Sequence, residues 1–448
     1  MDAKIKDVSV ITQVSASEPL LKLANALDWV VIAGLVMPDL KKTERGAWHV
    51  GRRLWLRIHL AVMIVRELRK ESDRGVEERI NQTPVLQVFC GRAILPKWKC
   101  PDHTKIEEFR NRLTPDTHKA ITDYVLQLAQ QLGFTDASWM DVDSTVQQAN
   151  IAYPSDAGLM KKLSEKVHHV IEFIKDKAQI ATSNLAVGIE EIRKQAHGYF
   201  FQARNVAIEK RRAVFAQYHA TVTRELTPVI EYLSTLTPDQ VAALPWHIRA
   251  TLNQIITHGQ SYLADVLHFV QTHTMKAGKI LSFHAQAVAC IKKGKPGKEH
   301  EFGRVFQLGR IGGNFLLVGA CNSVRMEDKP SLLPMIMEHR RIFGETQLKQ
   351  VGTDKGYYTA KNVRELESAG LNADGVQRPS TVKRQLPAEV VKPLRNRRAG
   401  TEPLIQHVKL FGLGKSKMKS DATTLASGYR SVTAFNLHQI GRHMAMAA

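Results

Sequence analysis

Two aspartates stand two residues apart in the stretch Trp139-Met140-Asp141-Val142-Asp143-Ser144-Thr145-Val146. Read as a strand, the alternation puts Met140, Val142 and Val146 on one face and Trp139, Asp141, Asp143 and Thr145 on the other. Neighbouring carboxylates on one face repel, and Asp is a poor strand former. A strand that keeps both is therefore exposed there or holds a cation. Two further acids sit where chemistry can use them: Asp354, at the end of a later short strand, and Glu402, at the opening of a late helix. Phosphoryl transfer on nucleic acid commonly uses two divalent cations about 3.5–4 Å apart, one activating the attacking oxygen and one stabilising the leaving oxygen. Mg²⁺ prefers such oxygen donors. Carboxylates from two strand ends and one helix of a mixed sheet can converge on that pair, but a chain with 43 acids offers many such triples, so spacing alone does not select these three.

The surroundings of Glu402 do more to select it. The 39 residues from Thr381 to Lys419 hold ten Lys and Arg but only two acids, Glu389 and Glu402. A lone carboxylate in such a stretch sits where a metal-binding acid flanked by phosphate-binding cations is needed. Arg398, Glu402 and Lys409 are spaced by four and seven residues, so one unbroken helix would put them on one face. Pro403 also suits a helix start, which would leave Arg398 just upstream. His407 lies near this acid with no Ser or Cys partner, which makes it a phosphate contact or a support rather than a nucleophile.

The elements that must position these residues can be read in outline. The first 130 or so residues are helical in pattern, with apolar positions recurring from Leu54 to Leu68 at helical spacing. Thr104 and Glu107 have capping-box spacing, and Thr114-Pro115 opens a helix that Gly133 closes. Basic residues collect at Lys41, Lys42, Arg45, Arg52 and Arg53 beside Trp48 and Trp55. Strand signals begin at Ser138. From Ala157 to about Met275 the pattern is helical again, which predicts a long hairpin or small bundle inserted after the first strand; its basic residues suggest contact with DNA or a second subunit. Strands return over Ser282–Cys290, Phe302–Ile311 and Asn314–Ser323, the last two joined by the hairpin signal Gly312-Gly313. A helix over Ser331–Phe343, a strand over Gln347–Thr353, a helix over Thr359–Ala369 and a final helical region from Thr401 complete the order.

Composition narrows the partners. In 448 residues, 63 Lys and Arg against 43 Asp and Glu give a formal charge of +20, which favours a polyanion. The longest strongly apolar run, Trp29 to Pro38, is about half of the ~20 residues a spanning helix needs, and Met1 to Glu18 lacks the pattern of a secretory signal. Cys90, Cys100, Cys290 and Cys321 are too few and scattered for a disulfide framework and are expected to be reduced. Cys90, Cys100 and His103 have no fourth ligand in sequence, so no structural zinc is expected. No GxxxxGK[ST] loop is present, and no nucleotide cofactor is expected.

Three blocks then carry a resemblance: Asp143-Ser144-Thr145 continuing to Asp156, Thr353-Asp354-Lys355-Gly356-Tyr357-Tyr358, and Arg397-Arg398-Ala399-Gly400-Thr401-Glu402 continuing to Lys409. They resemble the three acidic blocks of bacterial insertion-sequence DDE transposases. Gln87–Gly91 and Phe109–Leu113 resemble the helical N-terminal domain of that group, and Ser427–Leu437 its tail, in order from about residue 50 to 440. The resemblance implies a mixed α/β fold: a ribonuclease-H-like mixed sheet flanked by helices, in 134–156 and 276–440. An all-α domain over 1–133 would bind the DNA ends, and the large helical insertion would span 157–275. It implies Asp143, Asp354 and Glu402 as catalytic, metal-holding acids and Mg²⁺ as cofactor, with Mn²⁺ as substitute. Arg398 and Lys409, with Arg395 and Lys355, would bind DNA phosphates. Where related elements carry a Tyr, this chain has Arg395, which leaves an aromatic role there unfilled. Asp141 reads as a supporting acid. The implied partners are double-stranded DNA, both terminal inverted repeats and target, and a second copy of the chain in a homodimer or higher oligomer, with no membrane; the implied place is the cytoplasm, on the nucleoid. The alternatives are a nuclease on the same fold that cleaves without strand transfer, and a non-catalytic DNA-binding relative.

Overall fold

The structure is a computed structural model and describes residues 13–447 apart from 16, 41–49, 93–97, 179, 181, 183–184, 203–204, 286–287, 296–297, 320, 322 and 383–386. The chain forms two units, Met1–Asn150 with Ile291–Ala448, and Ile151–Cys290. The expected basic cluster at Lys41, Lys42, Arg45 and Trp48 lies outside the described residues, as do the side chains of Arg52 and Arg53.

The first unit opens with helices α1 (Pro19–Ala26), α2 (Trp29–Val36), α3 (Val50–Arg69), α4 (Asp73–Gln82), α5 (Pro84–Phe89), α6 (His103–Arg112) and α7 (Pro115–Gln131). Thr114 caps α7 through the Thr117 amide, with Pro115 in the first turn, and Gly133 follows at φ 71°. At α6 the cap is two residues earlier than the capping-box spacing predicts. Asp102 accepts from the amides of Thr104 and Lys105, because a carboxylate competes better for the free N–H groups than the Thr104 hydroxyl. No single helix among the described residues is long and apolar enough to cross a membrane.

The sheet is built from β1 (Trp139–Ala149), β2 (Ala289–Lys295), β3 (Lys298–Ile311), β4 (Phe315–Val318), β5 (Gln350–Gly352) and β6 (Lys415–Ser416). Its order is β2-β3-β1-β5, with β4 also on β3 and β6 also on β1. β1 runs antiparallel to β3, Asp141 facing Arg310 and Asp143 facing Leu308, and parallel to β5, Asp141 facing Gly352. Gly312 and Gly313 turn β3 into β4, Gly313 taking the positive φ that only glycine adopts without strain.

The pleat sorts the two faces. Met140, Val142 and Val351 join the core shared with α3, α7 and α13 (Asp328–Phe343), so the N-terminal helices and the sheet bury one continuous apolar cluster. On the opposite face Phe306, Leu308, Leu316 and Val318 pack with Leu404, Ile405 and Val408 and with Tyr429, Val432 and Phe435. Those residues belong to α16 (Thr401–Val408) and α17 (Asp421–Met446). Between β5 and α16 come α14 (Ala360–Ser368) and α15 (Ala388–Ala399). Helix α13 starts at Asp328, three residues before the predicted Ser331: Pro330 falls in its first turn, where a missing N–H does no harm.

The second unit is helical: α8 (Asp156–Lys177), α9 (Ile189–His197), α10 (Ile208–Ser234), α11 (Pro238–Ala243) and α12 (Trp246–Thr272). Its long helices α8, α10 and α12 enclose a core that includes Met160, Val167, Ile171, Tyr218, Leu226, Ile255 and Tyr262. The predicted insertion, 157–275, falls within it.

Candidate active site

The strands bring two of the sequence-predicted acids to one level. Because β1 and β5 are parallel with Asp141 beside Gly352, extending the register by two residues sets Asp143 beside Asp354. Just past β5, Thr353 is held by its amide to the Gly375 carbonyl at 3.0 Å. The Asp354 carboxylate accepts from the Gly356 amide at 2.8 Å, which fixes the turn Lys355–Tyr357. Asp143 accepts from the Ser144 amide at 2.7 Å and is partly buried. Burial, with Asp354 and Asp328 as like-charged neighbours, pushes its pKa up against the pull of the Ser144 amide and Arg398.

A third carboxylate in this group is one the sequence does not single out. Asp328, at the head of α13, accepts from Gln307 Nε2 at 3.1 Å, and Gln307 in turn accepts from the buried Tyr357 hydroxyl. A Cβ built on Gly356 would stand 3.0 Å from Asp354 Oδ1 and 3.1 Å from Asp328 Oδ2, so both oxygens border one small gap. Burial, reinforced by Asp328, Asp143 and Asp354, holds the Tyr357 phenol well above its ordinary pKa, and it stays a neutral donor. The sequence offers no signal for Asp328, because Pro330 and Pro334 obscure the helix start.

Glu402 approaches from the other side of the sheet. Its helix, α16, packs on the face of β1 to which the alternation sends Asp143, whereas α13 packs on the Met140 and Val142 face. Glu402 is exposed, with no hydrogen-bond or ion-pair partner among the described residues. Of the two readings left open for Arg398, Glu402 and Lys409, the structure has a fresh helix start just ahead of Pro403 with Arg398 upstream, not one unbroken helix. α15 ends at Ala399 and α16 begins at Thr401, because Pro403 has no N–H to return to the Ala399 carbonyl. Lys409 opens a π-helical turn about 10 Å along the axis from Glu402. Among the described residues no three His, Cys, Asp or Glu side chains stand close enough as placed to hold one metal ion.

The cations are better gathered. Arg398 Nη2 lies 3.8 Å from Asp354 Oδ2. Lys355, Arg378, Arg395 and Arg398 line one cleft of about 490 Å³ together with Asp374, over apolar residues that include Val376, Val391 and Leu394. The Nε atoms of Arg378 and Arg398 are buried without an acceptor. Three of these four were anticipated; Arg378 was not. The helical unit 151–290 carries fifteen Lys and Arg against eleven acids, so most of the excess positive charge belongs to the unit that holds this cleft.

Asp141 has a different fate from Asp143. It is fully buried, and the Arg397 guanidinium grips it through Nη2 at 2.6 Å and Nε at 3.1 Å. His407 is likewise drawn away from the acids, into an aromatic group with Phe411, Phe435 and His438 at ring distances of 5.5 to 5.8 Å. Burial, then Lys70 and Arg442, keep its pKa low. Cys90 and Cys100 are buried free thiols, and His103 Nδ1 pairs with Glu77 at 3.0 Å.

Residues 8–112 match the family of the transposase domain (DUF772). The match ends with α6 and supports reading the chain as a transposase; it does not extend to the acid-bearing strands. No curated protein and no solved structure matches the chain.

Proposed function

We propose that the chain is a DDE-type transposase: it binds the terminal inverted repeats of its own insertion sequence, cleaves the DNA there and joins the freed 3′ ends to target DNA. The observation that carries this reading is the parallel β1–β5 pairing, which leads Asp143 and Asp354 out as like-charged neighbours, with Arg398 reaching Asp354 from a cleft that Lys355, Arg378 and Arg395 also line. The long β1–β3–β4 antiparallel ladder, followed by a helix and then a parallel strand on the far side of β1, supports a ribonuclease-H-like reading of the sheet.

The donor set fits a hard divalent cation. Asp143, Asp354 and Glu402 offer only oxygen, and the gap at Gly356 is open because that position has no side chain. Asp143 and Asp354 would hold Mg²⁺ or Mn²⁺, with Glu402 completing the set from α16. When bound, such ions activate the attacking oxygen and stabilise the leaving oxygen of a phosphodiester. The chain's own residues do the rest. The cleft cations bind the DNA backbone on either side of the scissile phosphate, and Arg398 offsets negative charge near Asp354. Two ends must be held together for joining, which calls for a dimer or higher assembly on DNA, in the cytoplasm where the nucleoid lies.

The test is a cleavage and joining assay on a supercoiled plasmid bearing the element's flanking inverted repeats. It is run with Mg²⁺ and with EDTA, beside Asp354→Asn. End-specific nicks and joined products that vanish in both controls are expected. Cleavage without joining would make the protein a nuclease, and binding to the ends without cleavage would make it a DNA-binding relative.

A further inference from the structure

Arg397 is one of six cations between Lys383 and Arg398, yet its surroundings differ from those of its neighbours. Its guanidinium reaches across from α15 to β1 and closes on Asp141, which is wholly buried, while four-fifths of the Arg397 side chain is covered. Nη1 donates to the Gln350 side chain on β5, so one guanidinium spans β1, which carries Asp143, and the parallel strand that leads to Asp354. The Trp139 ring centre lies 4.6 Å from it and 5.5 Å from the Arg310 guanidinium. Arg310 then donates to the Arg397 carbonyl at 2.6 Å, which ties the backbone at the end of α15 to β3.

The approach is built into the backbone on both sides. A side chain at Gly352 would collide with the Asp141 carboxylate and crowd Arg397, and one at Gly400 would run into the Arg310 guanidinium at 2.6 Å. The residues that follow this anchor are those assigned to the reaction. Arg398 is next in sequence and faces Asp354 at 3.8 Å, and Glu402 lies in the first turn of the helix that Gly400 precedes.

We infer that Arg397 is a positioning residue: by clamping Asp141 and Gln350 it sets where Arg398 stands beside Asp354 and where the Glu402 helix starts. A planar fork is required, because it must meet a carboxylate through two nitrogens and an amide oxygen through the third; Lys supplies the charge without that geometry. A stretch selected only for net charge would accept Lys there. The inference rests on the reading of Asp143 and Asp354 as the reacting site.

Arg397→Lys tests it in two independent ways. In crystal structures of the wild type and the variant, Arg398 is expected to shift by ~1 Å or more relative to Asp354. In the plasmid assay kcat is expected to fall ~10–100-fold while KM for the DNA ends stays within ~3-fold, since misplacement harms chemistry more than binding. Gln350→Leu, which removes one partner and leaves the ion pair, should show the same split at a few-fold. An Arg398 that stays in place in Arg397→Lys, or a kcat that does not change, would overturn the inference. If the wild type cleaves no DNA, the proposed function falls, and the crystallographic comparison still decides whether Arg397 positions Arg398.

Discussion

Two regions of β1, two residues apart, treat the same side chain in opposite ways. Around Asp141 the protein supplies a guanidinium fork, a stacking indole and complete burial, so the charge is fully answered. Around Asp143 it supplies one amide donor, two more carboxylates and the nearby charge of Arg398, and leaves the group partly open. A buried charge without compensation is expensive, and proteins keep one mainly where something else will supply the compensation. The difference is one of compensation: the fold answers the Asp141 charge from within and leaves that of Asp143 only partly answered, as the proposed chemistry requires of an acid that takes a metal ion.

The comparison breaks first if the open acids prove dispensable. Asp143→Asn and Asp354→Asn are each expected to lower end cleavage by about 10³-fold or more, on the scale of a lost metal ligand, with affinity for the inverted repeats retained. The measurement is single-turnover cleavage beside a binding isotherm at the same salt. Loss of binding in parallel with cleavage would mean that these acids are structural, as Asp141 is.

The next largest effect decides which acid completes the set. Asp328 is near the pair but comes from the Met140 face, whereas Glu402 comes from the face toward which Asp143 points. The pleat favours Glu402. Glu402→Gln is expected to reduce cleavage by about 10²-fold or more, and Asp328→Asn by about tenfold, through the charge it contributes rather than through direct ligation. A larger loss in Asp328→Asn would exchange their roles.

Much of this arrangement is legible in the sequence because it follows from local periodicity. Alternation along 139–146 separates Met140 and Val142 from the aspartates, and Gly312-Gly313 marks the β3–β4 turn. What is not legible depends on contacts between distant residues. Nothing near Arg397 distinguishes it from Arg395 or Arg398; only the folded chain brings it to Asp141, 256 residues away in sequence. Asp328 is hidden by prolines that blur its helix start, and Arg378 lies in a stretch without regular periodicity. Of the two readings the sequence leaves open at Pro403, one helix from Arg398 to Lys409 or a fresh start with Arg398 upstream, the folded chain takes the second, a choice that depends on register.

On stability the two regions should part in sign. Asp141→Asn leaves the Arg397 side chain, four-fifths covered, against a neutral amide. Breaking a buried pair by removing one partner costs about 3–5 kcal/mol, and because Arg397 keeps some contact with water the lower end, about 3 kcal/mol, is expected. Urea denaturation of the metal-free protein measures it as a lowered midpoint. A change under about 1 kcal/mol would show that the clamp is replaceable and would remove the contrast with Asp143.

Asp143→Asn should do the reverse, and by less. Its folded pKa lies above the ordinary 3.8 because burial and two neighbouring carboxylates disfavour the charged form. For an acid shifted upward, the folded state carries a penalty above that raised pKa, and the penalty fades as pH falls through it toward 3.8. Removing the charge therefore stabilises metal-free protein most at neutral pH, by roughly 1–3 °C in Tm, and the gain disappears in acid. Mg²⁺ should invert the order, since only the wild type gains stability from binding it at this site. Melting both proteins at neutral and acidic pH, with EDTA and with Mg²⁺, tests all three signs. An Asp143→Asn variant less stable than wild type in EDTA would mean that Asp143 is compensated within the fold, and the distinction between the two aspartates would collapse.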